Sequence, residues 1–186
     1  DSIQEKLTFI SPYNDEYVMS GQGTLAVELI EQIKKLDVVI VSVGGGGLIS
    51  GISKYLKSTW PEILVVGCSP ENSPAMINSM YAGKILDIES KPTLSDGTAG
   101  GLEPGSITFP ICCEFIDQTI LVTEDEIKKA MELYYNNENQ IIEGAAGVAI
   151  ATFLKIKNYF SEKKVGVIIC GGNIDKKSFL SLINTN

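Results

Sequence analysis

Five short runs of apolar, largely β-branched residues set the frame for this chain: "LTFI" (7–10), "DVVIVSV" (37–43), "ILVVGCS" (63–69), "TILVT" (119–123) and "VGVIIC" (165–170). A strand with one wet face alternates apolar and polar residues, whereas continuously apolar runs belong to parallel strands covered on both faces. Between the runs the period changes. "GTLAVELIEQIKKL" (23–36) places Leu25, Leu29, Ile33 and Leu36 on one helical stripe, and "LISGISKYLKS" (48–58) follows the second run almost directly. "SPAMINSMYAG" (73–83) carries proline near its start and Gly83 at its end, the usual helix asymmetry. "TEDEIKKAMELYYNN" (123–137) opens with Thr123 and Glu126 in capping-box spacing. "GAAGVAIATFLKIKN" (144–158) is rich in small residues and suits close packing on a sheet. The alternation predicts an α/β fold, an open and mostly parallel twisted sheet with helices on both faces and right-handed crossovers. The length of 186 residues predicts one such domain over residues 1–186.

"VGGGGLISG" (43–51) stands between a strand and a helix. Four consecutive glycines lose much conformational entropy on folding, so a ligand-free turn gains little from them. In open α/β sheets, ligands bind beyond the carboxyl ends of the strands. Unhindered backbone N–H groups at such an end, together with the positive end of the following helix, make an anion site without a charged side chain. Neither familiar phosphate loop fits. A Walker A loop needs Gly-Lys-Ser/Thr where Gly47 is followed by Leu48 and Ile49; a dinucleotide fingerprint starting at Gly44 or Gly45 needs its last glycine at Ile49 or Ser50. A smaller phosphate-bearing cofactor is the expectation. A second glycine-rich strand end, "CGGN" (170–173), brings Cys170 toward the same rim, either as a weak hydrogen-bonding group or as a small hydrophobe. Residues 83–105, "GKILDIESKPTLSDGTAGGLEPG", form a long loop of the kind that is functional or mobile.

Composition narrows the chemistry. There is no histidine and no arginine, which excludes histidine-based triads and metal sites and removes the bidentate anion clamp. Cys68, Cys112, Cys113 and Cys170 fit no zinc spacing and are too sparse for a disulfide scaffold. A net charge of −8 argues against nucleic acid. No apolar run approaches the roughly 18 residues that span a bilayer, so a soluble cytoplasmic chain is expected, with no membrane partner. The chain opens at Asp1 without an initiator methionine, as a processed product or a piece of something longer would.

The motifs "SGQGTLAVELIEQ", "VVIVSVGGGGLISGI", "TLSDGTAGG", "LVTEDEI", "IIEGAAGVAIA" and "CGGN" occur in an order and spacing that resembles the serine/threonine dehydratases and serine racemases. These are pyridoxal-phosphate enzymes of the tryptophan-synthase-β type, fold type II, and the resemblance runs from about residue 7 to residue 182. It implies pyridoxal 5'-phosphate as cofactor, with Gly44, Gly45, Gly46, Gly47 and Leu48 around its phosphate. It implies Cys170 at the pyridine nitrogen and Gly97 near the ring. A neutral thiol does not hold that nitrogen protonated as an aspartate would, which suits α-proton removal followed by β-elimination. The implied activity is conversion of serine or threonine to a 2-oxo acid and ammonia, with serine racemase as the close alternative. A non-catalytic phosphate-ligand-binding module is the alternative of another class.

Two departures accompany the resemblance. The family's Schiff-base lysine lies in an amino-terminal segment not present in this sequence, and the lysines here sit in polar contexts such as "EQIKKL" and "SEKKV". The chain therefore reads as the carboxyl-terminal, cofactor-binding portion of a longer enzyme expected to form a homo-oligomer, a dimer, when full length, with no catalytic residue of its own and inactive alone. The racemase metal positions correspond to Ser69 and Ala75, poor ligands for a hard cation, so no metal is expected. Glu71 reads as a solvated loop residue; Glu143 either faces the cofactor or caps the helix after it.

Overall fold

A computed structural model describes residues 8–183. Its elements run α1 (Glu16–Gln32), β1 (Val38–Ser42), α2 (Gly47–Thr59), β2 (Leu64–Pro70), α3 (Ala75–Ala82), α4 (Thr108–Phe115), β3 (Gln118–Val122), α5 (Glu124–Glu138), α6 (Gly144–Ile156), β4 (Val165–Val167) and α7 (Lys176–Ile183). The four strands form one parallel sheet in the order β3-β2-β1-β4. This is the α/β architecture the apolar runs predict.

Alternation across the pleat divides the core into two layers. Val39 and Val41 of β1 point to one face, where Ile49, Ile52 and Leu56 of α2 and Ala26 of α1 meet them. Val38 and Ile40 point to the other, against Val148, Ala149 and Ile150 of α6 and Ile127 and Met131 of α5. Because both sides of β1 are packed, all five of its residues are buried. Burying side chains of this size contributes about 1.5–3 kcal/mol each. The sheet therefore holds the carboxyl end of β1 rigidly.

Local chemistry fixes the element ends. Thr123 Oγ1 accepts from the Glu126 N–H (3.2 Å) and Glu126 Oε2 accepts from the Thr123 N–H (2.8 Å), completing the expected capping box of α5. Gly83 ends α3 at φ 67°. Helix α1 departs from expectation by beginning seven residues before Gly23. Asp15 caps it, accepting from the N–H groups of Tyr17 (2.8 Å) and Val18 (3.0 Å). Gly23 lies where α1 crosses close on α2: a Cβ there would come 3.3 Å from Gly51 O, and one on Gly51 would strike the Met19 carbonyl, whereas Gly21 faces open space.

Two strands differ from the sequence reading. Leu7 lies outside the described residues, and residues 8–10 form no strand; Phe9 and Ile10 are exposed, with no ladder beside them. The last strand ends at Val167 rather than at 170. The Ile168 N–H still reaches Ile40 O (3.0 Å), but beyond it the Gly171 carbonyl is taken by the Glu143 N–H (3.0 Å), which draws the chain off the ladder. Helices α4 and α7 are not among the helices read from the sequence; α7 is amphipathic over only eight residues, with Phe179 buried in the core and Leu180, Leu182 and Ile183 packed against it. Among the described residues no helix is long and apolar enough to cross a membrane.

Candidate cofactor site

The carboxyl end of β1 passes through the glycines into α2, with Gly46 at φ 87° as the N-cap. A side chain at any of the four positions would meet protein. A Cβ on Gly44 would lie 2.8 Å from Thr98 Cα, one on Gly46 2.8 Å from Met76 Cε, and one on Gly47 2.8 Å from Tyr13 Cα. A Cβ on Gly45 would enter the Tyr13 ring. The walls thus press on the side-chain side of the loop, and two of its carbonyls are satisfied. Gly45 O accepts from Thr108 Oγ1 (2.6 Å) and Gly46 O from the Ser50 N–H (2.9 Å). The donors are not. Among the described residues no acceptor meets the N–H of Gly44, Gly45, Gly46, Gly47 or Leu48. Five free amide donors at a helix start, where the macrodipole is positive, suit an anion.

These residues line a cavity of about 520 Å³, a size within the usual small-ligand range. Gly44 to Leu48, Gly97 and Cys170, the residues the sequence singles out, all lie on its wall, joined by Tyr13, Ser42, Thr98 and Glu143. Gly97 sits in the 3-10 turn Asp96–Thr98 of the long 83–105 loop, so that loop forms a wall of the cavity. On the basis of donor set and size, the residues present fit a phosphate-bearing ring cofactor.

Cys170 lies on the exposed rim. Crowding by protein raises its thiol pKa, the Glu143 carboxylate adds to the rise, and hydrogen bonding with Ser42 opposes it. The thiol is therefore neutral at neutral pH. Ser42, at the end of β1, is 4% exposed and donates to Ala145 O at 2.6 Å. Cys68 behind it is fully buried, and burial pushes its thiol up to about 12. Glu143 lines the cavity and is also the N-cap residue of α6, without a side-chain cap bond; its Oε1 accepts from the Asn173 N–H at 2.5 Å.

Ser42 and Tyr13 are cavity residues that sequence reasoning misses. Neither motif nor spacing marks them, because Ser42 finds Ala145 across 103 residues and Tyr13 finds Glu103 across 90. Ser69 is buried and donates to Val43 O (2.6 Å), and Ala75 is buried at the start of α3. Lys6 lies outside the described residues; every other lysine is exposed or half-buried, and none lines the cavity.

The model of the family described as "Pyridoxal-phosphate dependent enzyme" matches residues 2–171. The chain belongs to this family. It is 42% identical over 184 residues to the L-threonine ammonia-lyase of Thermotoga maritima, covering 98% of this chain and 45% of that enzyme. Against the crystal structure of serine racemase from Dictyostelium discoideum the TM-score is 0.83 at 41% identity, covering 94% of this chain and 56% of that one. Against the processed form of threonine deaminase isoform 2 from Solanum lycopersicum it is 0.88 at 30% identity, covering 99% and 55%. The chain thus spans about half the length of the relatives it matches, and its sheet is that of the fold-type II enzymes.

Proposed function

We propose that the cavity holds pyridoxal 5'-phosphate as part of a threonine/serine ammonia-lyase that converts its substrate to a 2-oxo acid and ammonia. The observation that carries this reading is the set of free N–H groups from Gly44 to Leu48 at the start of α2. They would hold the phosphate by backbone alone, since the chain has no arginine and no described lysine lines the cavity. The bound cofactor supplies an electron sink for a substrate carbanion. Cys170, neutral and on the rim, would face the ring nitrogen with one weak hydrogen-bonding group. Gly97 would leave room for the ring face. Ser42 holds its hydroxyl on Ala145 O and keeps the wall behind Cys170 in place.

No described lysine is placed to anchor the cofactor, so the anchoring amine comes from polypeptide outside the described cavity. Racemisation of serine is the second reading, favoured by 41% identity to the Dictyostelium serine racemase over 97% of this chain. The unpaired thiols fit a reducing, cytoplasmic compartment. Exposed Tyr17, Tyr55 and Ile107 around α1 and α2 favour a homodimer of the full-length enzyme.

The test adds pyridoxal phosphate to the 186-residue chain, reduces with borohydride and maps attached mass. Saturable binding without stoichiometric attachment to one lysine is expected. Attachment to a single described lysine contradicts this placement of the amine. In the full-length enzyme, 2-oxo acid formation outrunning serine epimerisation separates lyase from racemase.

A further inference from the structure

The segment ahead of α1 is tied by three hydrogen bonds to Glu103 of the long loop and by a fourth to Ile107 at the start of α4. Ser11 Oγ donates to Glu103 Oε1 (2.7 Å) and Asn14 Nδ2 donates to Glu103 Oε2 (2.7 Å). The Glu103 N–H donates to the Tyr13 hydroxyl (2.7 Å), and the Ile107 N–H donates to Asn14 Oδ1 (2.8 Å). Both carboxylate oxygens of Glu103 are engaged, and the hydrogen bonds from Asn14 and then Ser11 hold its carboxyl below the usual range. It is therefore an anion, and a firm acceptor, at neutral pH.

Between these ties lies Tyr13. Its ring fills the place a side chain on Gly45 would need, and its backbone does the same at Gly47. Thr108, next to Ile107, grips the loop from the other side through Gly45 O. The glycine loop is thus held on its carbonyl and side-chain sides while its N–H groups stay free. A four-glycine segment has more accessible conformers than any other of its length. Left untemplated it would present converging donors only part of the time, and apparent affinity falls by that fraction.

We propose that Tyr13 and Glu103 are positioning residues for the anion site: Glu103 fixes Tyr13, and Tyr13 packs on Gly45 and Gly47 so that the loop's N–H groups converge before a ligand arrives. The inference rests on the reading of the cavity as a phosphate site.

The test measures inorganic phosphate affinity and backbone amide NMR order parameters at residues 44–48 in the whole chain. Tyr13→Ala removes the ring and is expected to weaken phosphate about tenfold and to lower the order parameters of these amides. Tyr13→Phe keeps the ring and loses the hydroxyl, and Glu103→Gln can accept through one oxygen only. Both keep the loop packed and are expected to weaken phosphate roughly threefold. Tyr159→Ala, a change at an exposed residue outside the cavity, leaves both readouts unchanged. If the unaltered chain binds no phosphate, the phosphate reading fails, while the order parameters at 44–48 still report whether the clamp holds the loop. If the unaltered chain binds phosphate and the Tyr13 and Glu103 variants match it in affinity and order parameters, the positioning role is overturned. Should Tyr13→Ala not fold, Tyr13→Phe and Glu103→Gln decide alone.

Discussion

After β1 the chain runs from Gly44 to Gly47 straight into a helix, and five backbone N–H groups meet no acceptor among the described residues. After β4 it runs through Gly171 and Gly172 into a loop whose backbone is taken up by Glu143, which donates its N–H to Gly171 O and accepts from the Asn173 N–H. Both are glycine-rich strand ends on one cavity wall. One offers donors to a ligand; the other has spent its groups on the protein and presents a side chain, Cys170, instead. Glycine content marks where a backbone comes close to something. The hydrogen-bond ledger says whether that something is a ligand or the protein itself.

The largest effect expected from this contrast is on stability and anion binding together. In Gly45→Ala the new methyl meets the Tyr13 ring, which is tethered through its hydroxyl and cannot swing aside cheaply. Overpacking of this kind costs about 1–3 kcal/mol, and phosphate affinity is expected to fall with it. In Gly171→Ala the methyl comes 2.8 Å from Glu143 Oε2, the far end of a flexible side chain. That carboxylate can move only by giving up its hydrogen bond from the Asn173 N–H, so a cost of about 0.5–1.5 kcal/mol with retained phosphate binding is expected. Thermal unfolding and phosphate titration of the two variants check the contrast. Equal losses would mean that the two strand ends play the same part.

A smaller effect, confined to the second strand end, is expected in the full-length enzyme. Cys170→Ser offers one weak hydrogen bond in place of another and keeps kcat within about tenfold, or 1.4 kcal/mol of barrier. Cys170→Asp is worse for elimination, because it places a carboxylate beside Glu143 and where a neutral group faces the ring. A cysteine with no part in the site, exposed on the rim, would tolerate serine, alanine and aspartate nearly alike. Steady-state kinetics of the three variants separate the two cases.

How much of this was legible in the sequence follows from the range of the interactions. The sheet could be read because continuous apolar runs report burial on both faces, residue by residue. The capping box of α5 and Gly83 after α3 are local, and they appear where the sequence puts them. Gly44 to Leu48 and Cys170 share a wall because strand ends and helix starts are themselves local features, whereas Gly97, in the Asp96–Thr98 turn of the long loop, comes from the resemblance alone. The strand at 165–170 was read too long because what ends it, Glu143 bonding to Gly171, comes from another element. Tyr13 escaped notice for the same reason. As a sequence feature it is one aromatic in a turn, and its meaning arises only where it meets Gly45 and Glu103 in space. Composition excluded arginine clamps and histidine chemistry but could not show that each glycine faces a wall of protein rather than the ligand.

The central claim is that the anion site is made of backbone N–H groups at the β1–α2 junction. Amide chemical shifts of the isotopically labelled chain, followed as inorganic phosphate is added, test it most directly. Saturable shifts concentrated on the amides of Gly44 to Leu48, with the lysine side chains unmoved, are the expected result. Shifts that spread over surface lysines while those amides stay still would contradict the account.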